Sequence, residues 1–142
     1  MNSRIIRSKN IVGDLGEYLS INYYNSTPTL PNLQAAPPST QNVDALSHKG
    51  ERYSIKSTVG KVTGVFYHLP SPDSDEVPDR KFEYVIIVLF DGNYNLKRIC
   101  ELTWEQFLKH KRWHKTMRAY NLPINKTLLG ESNTIFAQEN NG

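Results

Sequence analysis

Seven consecutive residues, Tyr84-Val-Ile-Ile-Val-Leu-Phe90, form an unbroken apolar run bounded by Asp91-Gly92-Asn93. The run is too short for a typical helix and rich in β-branched residues, so it reads as a strand buried on both faces. Such a strand lies at the centre of a sheet that carries cover on each side. The Asp-Gly-Asn segment turns the chain, and Leu96 to Leu102 reads as the next, antiparallel strand. Thr103 then starts a helix, with Gln106 three residues on completing a capping-box pattern, and Trp104, Phe107 and Leu108 turned to the core.

Asn42 to Lys56 has the pattern of a β-hairpin, two short runs about a turn that ends near Gly50. A three-residue loop of His48, Lys49 and left-handed Gly50 sets Ser47 opposite Glu51 and Asp44 opposite Ser54. Lys56 is then the diagonal neighbour of Asp44. Ser54 and Lys56 share one face, and Tyr53 and Ile55 the other. A two-residue loop changes the register by one and separates the pair. Asp and Lys on one face of adjacent strands can hold a divalent cation and a water, the outline of metal-assisted phosphodiester hydrolysis. The alternative is an ordinary solvated hairpin face.

Ser8 to Tyr24 reads as a helix. Ile11, Val12, Leu15, Tyr18, Leu19 and Tyr23 recur at helical spacing, with Ser8 or Asn10 as the cap. Gly13, Gly16 and Ser20 form a second, small-residue stripe that points to close approach of a neighbouring backbone or a ligand. Asp14 and Glu17 lie on neighbouring parts of one face, which the alternative reading makes a solvated acidic surface. Asn25 to Thr40, with four prolines, reads as an irregular connection. A short turn near Gly60 and a third strand from Val62 to His68 are expected next. Gly60-Lys61 can approach a phosphate, although the spacing of a P-loop is absent. Pro70 to Asp79 is an acidic, proline-rich loop. Ile124 to Leu129 is a short apolar piece, and the tail from Gln138 is polar.

The densest run of cations is Lys109-His-Lys-Arg-Trp-His-Lys115, followed by Arg118. Interleaved with Trp113 and Tyr120, it fits contacts to a phosphate backbone, and it is read as a surface helical segment. His110 and His114 are four apart, but so many neighbouring cations make a poor metal site. The formal net charge of +3 suits an anionic partner without requiring one. The lone cysteine, Cys100, cannot form an internal disulfide and reads as a small apolar residue in a reducing compartment. No apolar stretch has the length of a signal peptide core or a membrane span, so a cytoplasmic protein of one domain, residues 1–142, is expected.

Helix with acidic residues, Asp-bearing hairpin ending in Lys, further strands and helices: from about Ile11 to Leu108 this order resembles the PD-(D/E)XK nuclease superfamily. The resemblance implies a restriction-endonuclease-like α/β fold, a central mixed sheet flanked by helices. In that family an Asp opens the hairpin and an acidic-x-Lys triplet follows. Asp44 and Ser54-Ile55-Lys56 match those positions, and Gly16-Glu17 matches a first-helix Gly-Glu pair found in some branches. Ser54 departs from the pattern, because a hydroxyl supplies no charged metal ligand. Either Glu17 provides the missing carboxylate, or Glu51 does after a register shift, or the site is dead; Glu17 is favoured.

The resemblance implies that Glu17, Asp44 and the Ile55 carbonyl bind Mg²⁺, with Mn²⁺ a possible substitute and no small-molecule cofactor. Lys56 positions the water, and Ser54 can hydrogen-bond a metal-bound water. Lys61, Lys109, Lys111, Arg112, Lys115 and Arg118 hold the flanking double-stranded DNA. A homodimer is expected of an enzyme that cuts both strands of a two-fold duplex. The competing expectations are a nucleic-acid-binding module on the same fold without catalysis, and a protein-interaction domain whose basic cluster meets an acidic surface.

Overall fold

The structure, a computed structural model, describes residues 2–38 and 40–139, with side chains from residue 11 onward. The chain runs α1 (Asn2–Ser26), β1 (Leu33–Ala35), β2 (Ala45–Ser47), β3 (Arg52–Thr58), β4 (Tyr84–Phe90), β5 (Leu96–Thr103), α2 (Trp104–His110), β6 (Arg112–His114), β7 (Ala119–Asn121), α3 (Lys126–Glu131) and β8 (Asn133–Ala137). Six strands make one mixed sheet in the order β1-β2-β3-β4-β5-β8, and β6 and β7 form a separate two-stranded ribbon. The fold is therefore α/β with a central mixed sheet.

Strand β4 occupies the expected central place, parallel to β3 and antiparallel to β5. Its side chains alternate between two apolar layers. Ile86, Val88 and Phe90 face a layer that includes Tyr24, Tyr53, Ile55 and Ile99, against which Val12, Leu15 and Leu19 of α1 pack. Val85 and Ile87 face the other, with Phe66, Phe82, Leu102, Trp104, Phe107, Leu122 and Leu128. Thr103 caps α2 through the reciprocal capping box with Gln106, as its spacing predicts.

The parallel step from β3 to β4 has no helix. Residues 59–83 instead lay Phe66 and Phe82 across the sheet, where both are fully buried and their ring centroids lie 4.7 and 5.2 Å from that of Phe107. The strand expected from Val62 to His68 is accordingly absent. Only isolated bridges form there, Val62 to Pro123 and Phe66 to Tyr120, because the segment crosses a sheet face instead of joining an edge. Two short edge strands, β1 and β8, were not expected. Helix α1 begins at Asn2 rather than Ser8, since nothing from Asn2 to Val12 breaks a helix, so Ser8 and Asn10 lie within it. Their side chains, and residues 140–142 of the polar tail, lie outside the described residues.

The small-residue stripe of α1 divides. Gly16 is buried against β3: a Cβ there would overlap Ser57 Oγ and come within 2.8 Å of Ser57 Cβ. Gly13 faces open space. Gly16→Ala is therefore expected to destabilise the fold by about 1–3 kcal/mol through overpacking, and Ser57→Gly in the same chain should restore most of the loss. Gly13→Ala should stabilise by roughly 0.5–1 kcal/mol through helix propensity. Chemical denaturation of the parent and these three variants measures both effects. Equal responses at the two glycines would refute the close approach of α1 to β3.

Candidate functional site

The hairpin turns as expected. Gly50 is left-handed at φ 84°, its N–H donates to the Ser47 carbonyl over 2.9 Å, and the Ser47 N–H donates to the Glu51 carbonyl over 2.9 Å. Ser47 Oγ gathers the loop by accepting from the N–H groups of Lys49 and Glu51. This pins Leu46 opposite Arg52 and Ala45 opposite Tyr53. Glu51 is thereby held at the turn, bonded to Ser47, and not shifted toward Asp44.

Beyond Ala45 the ladder departs from the simple register. The Asp44 N–H donates to the Tyr53 carbonyl over 2.8 Å, although Ala45 is already the partner of Tyr53. Two residues thus oppose one, the arrangement of a β-bulge, which re-aims a side chain. Asp44 does not sit face to face with Ser54. Its carboxylate turns into the plane of the sheet, and Oδ2 accepts the Ile55 N–H over 2.7 Å. The N–H and C=O of one strand residue point the same way, so the Ile55 carbonyl aims at the same edge as the Asp44 carboxylate.

Glu17 and Lys56 lie on opposite faces of β3, and the Asp44 charge acts on both. Tyr53 and Ile55 belong to the layer under α1, so α1 carries Glu17 on that side. Lys56 projects to the other side, where its ammonium lies 4.8 Å from the centre of the Phe66 ring and donates to the Val65 carbonyl over 2.9 Å. The expectation that Asp44 shares one hairpin face with Ser54 and Lys56 is corrected: the period-2 alternation puts Ser54 and Lys56 on one face, α1 covers the other, and Asp44 stands between at the bulge. Ser54 is 1% exposed, and its Cα pairs with that of Val85.

The charges register the grouping. Burial raises the Glu17 pKa above the ordinary carboxylate range, and the negative charges of Asp44 and then Asp14 raise it further. Burial lowers the Lys56 pKa, and the Asp44 carboxylate opposes that shift. Asp44 is thus electrostatically coupled to both partners. Glu17 also lines an open groove of about 430 Å³ between α1 and β1, shared with Asp14, Tyr18 and Asn22, so its carboxylate is accessible to solvent ions.

Glu17, Asp44 and the Ile55 carbonyl offer hard oxygen donors of the kind magnesium takes, and one or two carboxylates are what such a site commonly holds. Burial is the main reason the Glu17 pKa is raised, and the smaller part due to Asp44 is a repulsion that a divalent cation would relieve. Among the described residues no group of three or more His, Cys, Asp or Glu side chains is gathered about one point, so this donor set relies on a main-chain oxygen.

The basic segment is a ribbon, not a helix. α2 stops at His110, Lys111 adopts an extended conformation as its C-cap, and β6 and β7 pair from Arg112–Asn121 to His114–Ala119. Alternation explains the switch: Trp113 packs edge-on against Tyr120 at 5.0 Å, while Arg112 on one side of it stays exposed. Lys109 pairs with Glu131 over 2.7 Å, and His110 approaches the same carboxylate at 3.2 Å. His114 accepts the Met117 N–H. The two histidines thus take different partners. Lys111 lies over the Tyr120 ring at 4.3 Å. Arg112, Lys115 and Arg118 are exposed along the ribbon, and Lys61 is exposed on the crossover, where its carbonyl accepts the Ile124 N–H.

Sequence reasoning missed the crossover contacts. Phe66 hydrogen-bonds Tyr120 of β7, and its neighbour Val65 holds Lys56, so residues 65–66 join the Asp44 edge to the basic ribbon. Asn42 was missed as well. It is left-handed at φ 58°, and its side-chain amide donates to the Tyr67 carbonyl over 2.9 Å, tying the segment before Asp44 to the same crossover. An Asn two residues before a strand-opening Asp is a legible turn signal; the Val65 contact has none, because a main-chain acceptor leaves no mark on residue type.

No protein-family model matches the chain, and no curated protein matches it.

Proposed function

We propose that the chain is a metal-dependent nuclease acting on duplex DNA, built on the restriction-endonuclease-like variant of its α/β fold. The observation that carries the reading is the Asp44 carboxylate, held at a bulge between Glu17 of α1 and Lys56 of β3, with the Ile55 peptide at the same edge. Glu17, Asp44 and the Ile55 carbonyl would hold Mg²⁺ or Mn²⁺. A bound divalent cation would supply Lewis-acid stabilisation of charge on the scissile phosphate.

The chain's own residues do the rest. The Ile55 N–H fixes one Asp44 oxygen and leaves the other for binding. The Lys56 ammonium, anchored by Val65 and Phe66, contributes a fixed positive charge beside Asp44, able to orient a water and offset phosphate charge. Arg112, Lys115 and Arg118, with Lys61, would position the flanking backbone. A homodimer would match the two-fold symmetry of a duplex cut on both strands.

A second reading, a nucleic-acid-binding module without catalysis, is favoured by Ser54, which is buried and supplies no carboxylate, and by the existing bond of Lys56 to Val65. Incubation of supercoiled plasmid with the protein and magnesium, with and without EDTA, separates the two. EDTA-sensitive nicking or linearisation supports the nuclease, while gel retardation without strand breakage supports the binding module.

The ribbon is expected to supply affinity without sequence preference. Changing Arg112, Lys115 and Arg118 together to Ala should weaken binding to all duplexes alike and reduce the slope of log K against log salt by about 0.9 for each phosphate no longer neutralised. Lys111 is left in place because it packs on Tyr120. An unchanged slope puts the DNA on another surface.

A further inference from the structure

Helix α1 ends at Ser26, but the sheet face beneath it continues. Beyond the helix end, the connection at Thr29 to Pro31 and the hairpin loop at His48 and Lys49 wall a cavity of about 410 Å³. Its floor is Tyr53 and Tyr84, with Glu101 and Glu51 beside them. Tyr53 and Tyr84 are register partners on β3 and β4, their rings stacked at 5.1 Å and 24°. Glu101 projects from β5 on the same face, opposite Ile86. Tyr24 donates its hydroxyl to Glu101 Oε1 over 2.7 Å, which occupies one carboxylate oxygen.

This arrangement is unusual for a sheet face otherwise given to core packing. Among the described residues neither Glu101 nor Glu51 takes part in an ion pair. Burial raises the Glu101 pKa, the Tyr24 hydroxyl opposes the rise, and the Glu51 charge adds to it. The nearby phenols are raised as well, Tyr53 chiefly by burial and then by Glu101 and Glu51. Two carboxylates beside a stacked aromatic pair, in a cavity of ligand size and with no cation paired to them, make an environment short of one positive charge.

We propose that this cavity binds a small organic cation, a primary alkylammonium, which hydrogen-bonds Glu101 and Glu51 and lies against the Tyr84 ring. The aromatic floor favours an organic cation over a metal ion: ring faces attract a cation through their quadrupole and give it no oxygen shell. Charge-assisted bonds to carboxylate supply the rest. His48 and Lys49 at the mouth disfavour a second cationic end, so a monoamine fits better than a diamine. The site includes none of Glu17, Asp44, Ile55 and Lys56 and stands whether or not the chain cleaves DNA.

Butylammonium is a suitable probe. Titration at neutral pH, followed by the aromatic ring resonances of the full chain, should give saturable shifts with affinity in the millimolar range or tighter. Butanol, matched in size and uncharged, should give none, and putrescine should bind more weakly than butylammonium. Glu101→Gln keeps the acceptor for Tyr24 and should weaken binding about tenfold, the scale of a lost charged hydrogen bond. Tyr84→Leu should also weaken it, and Glu17→Gln should not. Glu51→Gln provides the same test if Glu101→Gln does not fold. Shifts that do not saturate, equal shifts with butanol, or unchanged affinity in the folded Glu-to-Gln variant would overturn the site.

Discussion

Lys56→Met is expected to lower single-turnover cleavage of plasmid DNA by about a hundredfold or more, the scale on which removal of an electrostatic stabiliser acts. Methionine is the informative replacement because Lys56 is half-buried with its ammonium over the Phe66 ring, and Ala would empty that space in addition to removing the charge. Binding to duplex DNA should change little, since the exposed cations of the ribbon remain. The stability response has a definite sign. Burial lowers the Lys56 pKa in the folded state, so the folded chain holds this proton less tightly than the unfolded chain. That destabilisation is fully present below the lowered folded value and disappears as pH rises to the ordinary lysine value. At neutral pH the Met variant therefore escapes an electrostatic penalty while losing the bond to Val65, and its thermal midpoint should stay close to the parent's. Cleavage at the parent rate by Lys56→Met would remove Lys56 from the site. A large fall in midpoint would make the residue a structural one.

Much of the framework was legible in residue pattern. The 84–90 run, the antiparallel return to Leu102, the Thr103 cap and the left-handed Gly50 all follow from local rules, and the structure has each. The elements that were not legible depend on distant partners. Strands β1 and β8 are short and lie at the two edges of the sheet, where only a neighbour's ladder makes a few ordinary residues into strands. The 59–83 crossover looked strand-like around Phe66, yet that residue's burial comes from Phe82 and Phe107 rather than from a sheet. The basic segment fits a helix and a ribbon equally until Trp113 is seen against Tyr120.

The candidate site was legible to the same extent. Alternation along β3 correctly put Ser54 and Lys56 on one face. It could not say which face α1 would cover, and a one-residue bulge at Asp44 is invisible to a period-2 pattern. Gly16 was a sound signal, because α1 comes close to Ser57 of β3 there, and the next residue, Glu17, feels the Asp44 charge.

Glu17→Gln is expected to have the largest effect on metal binding, and it can be read without any nuclease assay. The side chain keeps its size and loses its charge. Burial, then Asp44 and Asp14, raise the folded Glu17 pKa, so the folded state binds this proton more tightly than the unfolded state. The ionised carboxylate is thus destabilising above the raised folded value, and that effect fades as pH falls from there toward the ordinary carboxylate value. In metal-free buffer at neutral pH the Gln variant should be no less stable than the parent. Added magnesium should raise the parent's thermal midpoint by mass action on the folded state, and the Gln variant should respond little. Ser54→Ala should keep the full magnesium response, because a hydroxyl is not the second charged ligand. Single-turnover cleavage should rank the same way, with Glu17→Gln slower by on the order of a hundredfold or more and Ser54→Ala much closer to the parent. Glu17 and Lys56 stand on opposite faces of the sheet with Asp44 between them, so the two losses arise from different groups. A magnesium response that survives in Glu17→Gln but vanishes in Ser54→Ala would place the cation on the Lys56 face and remove α1 from the site.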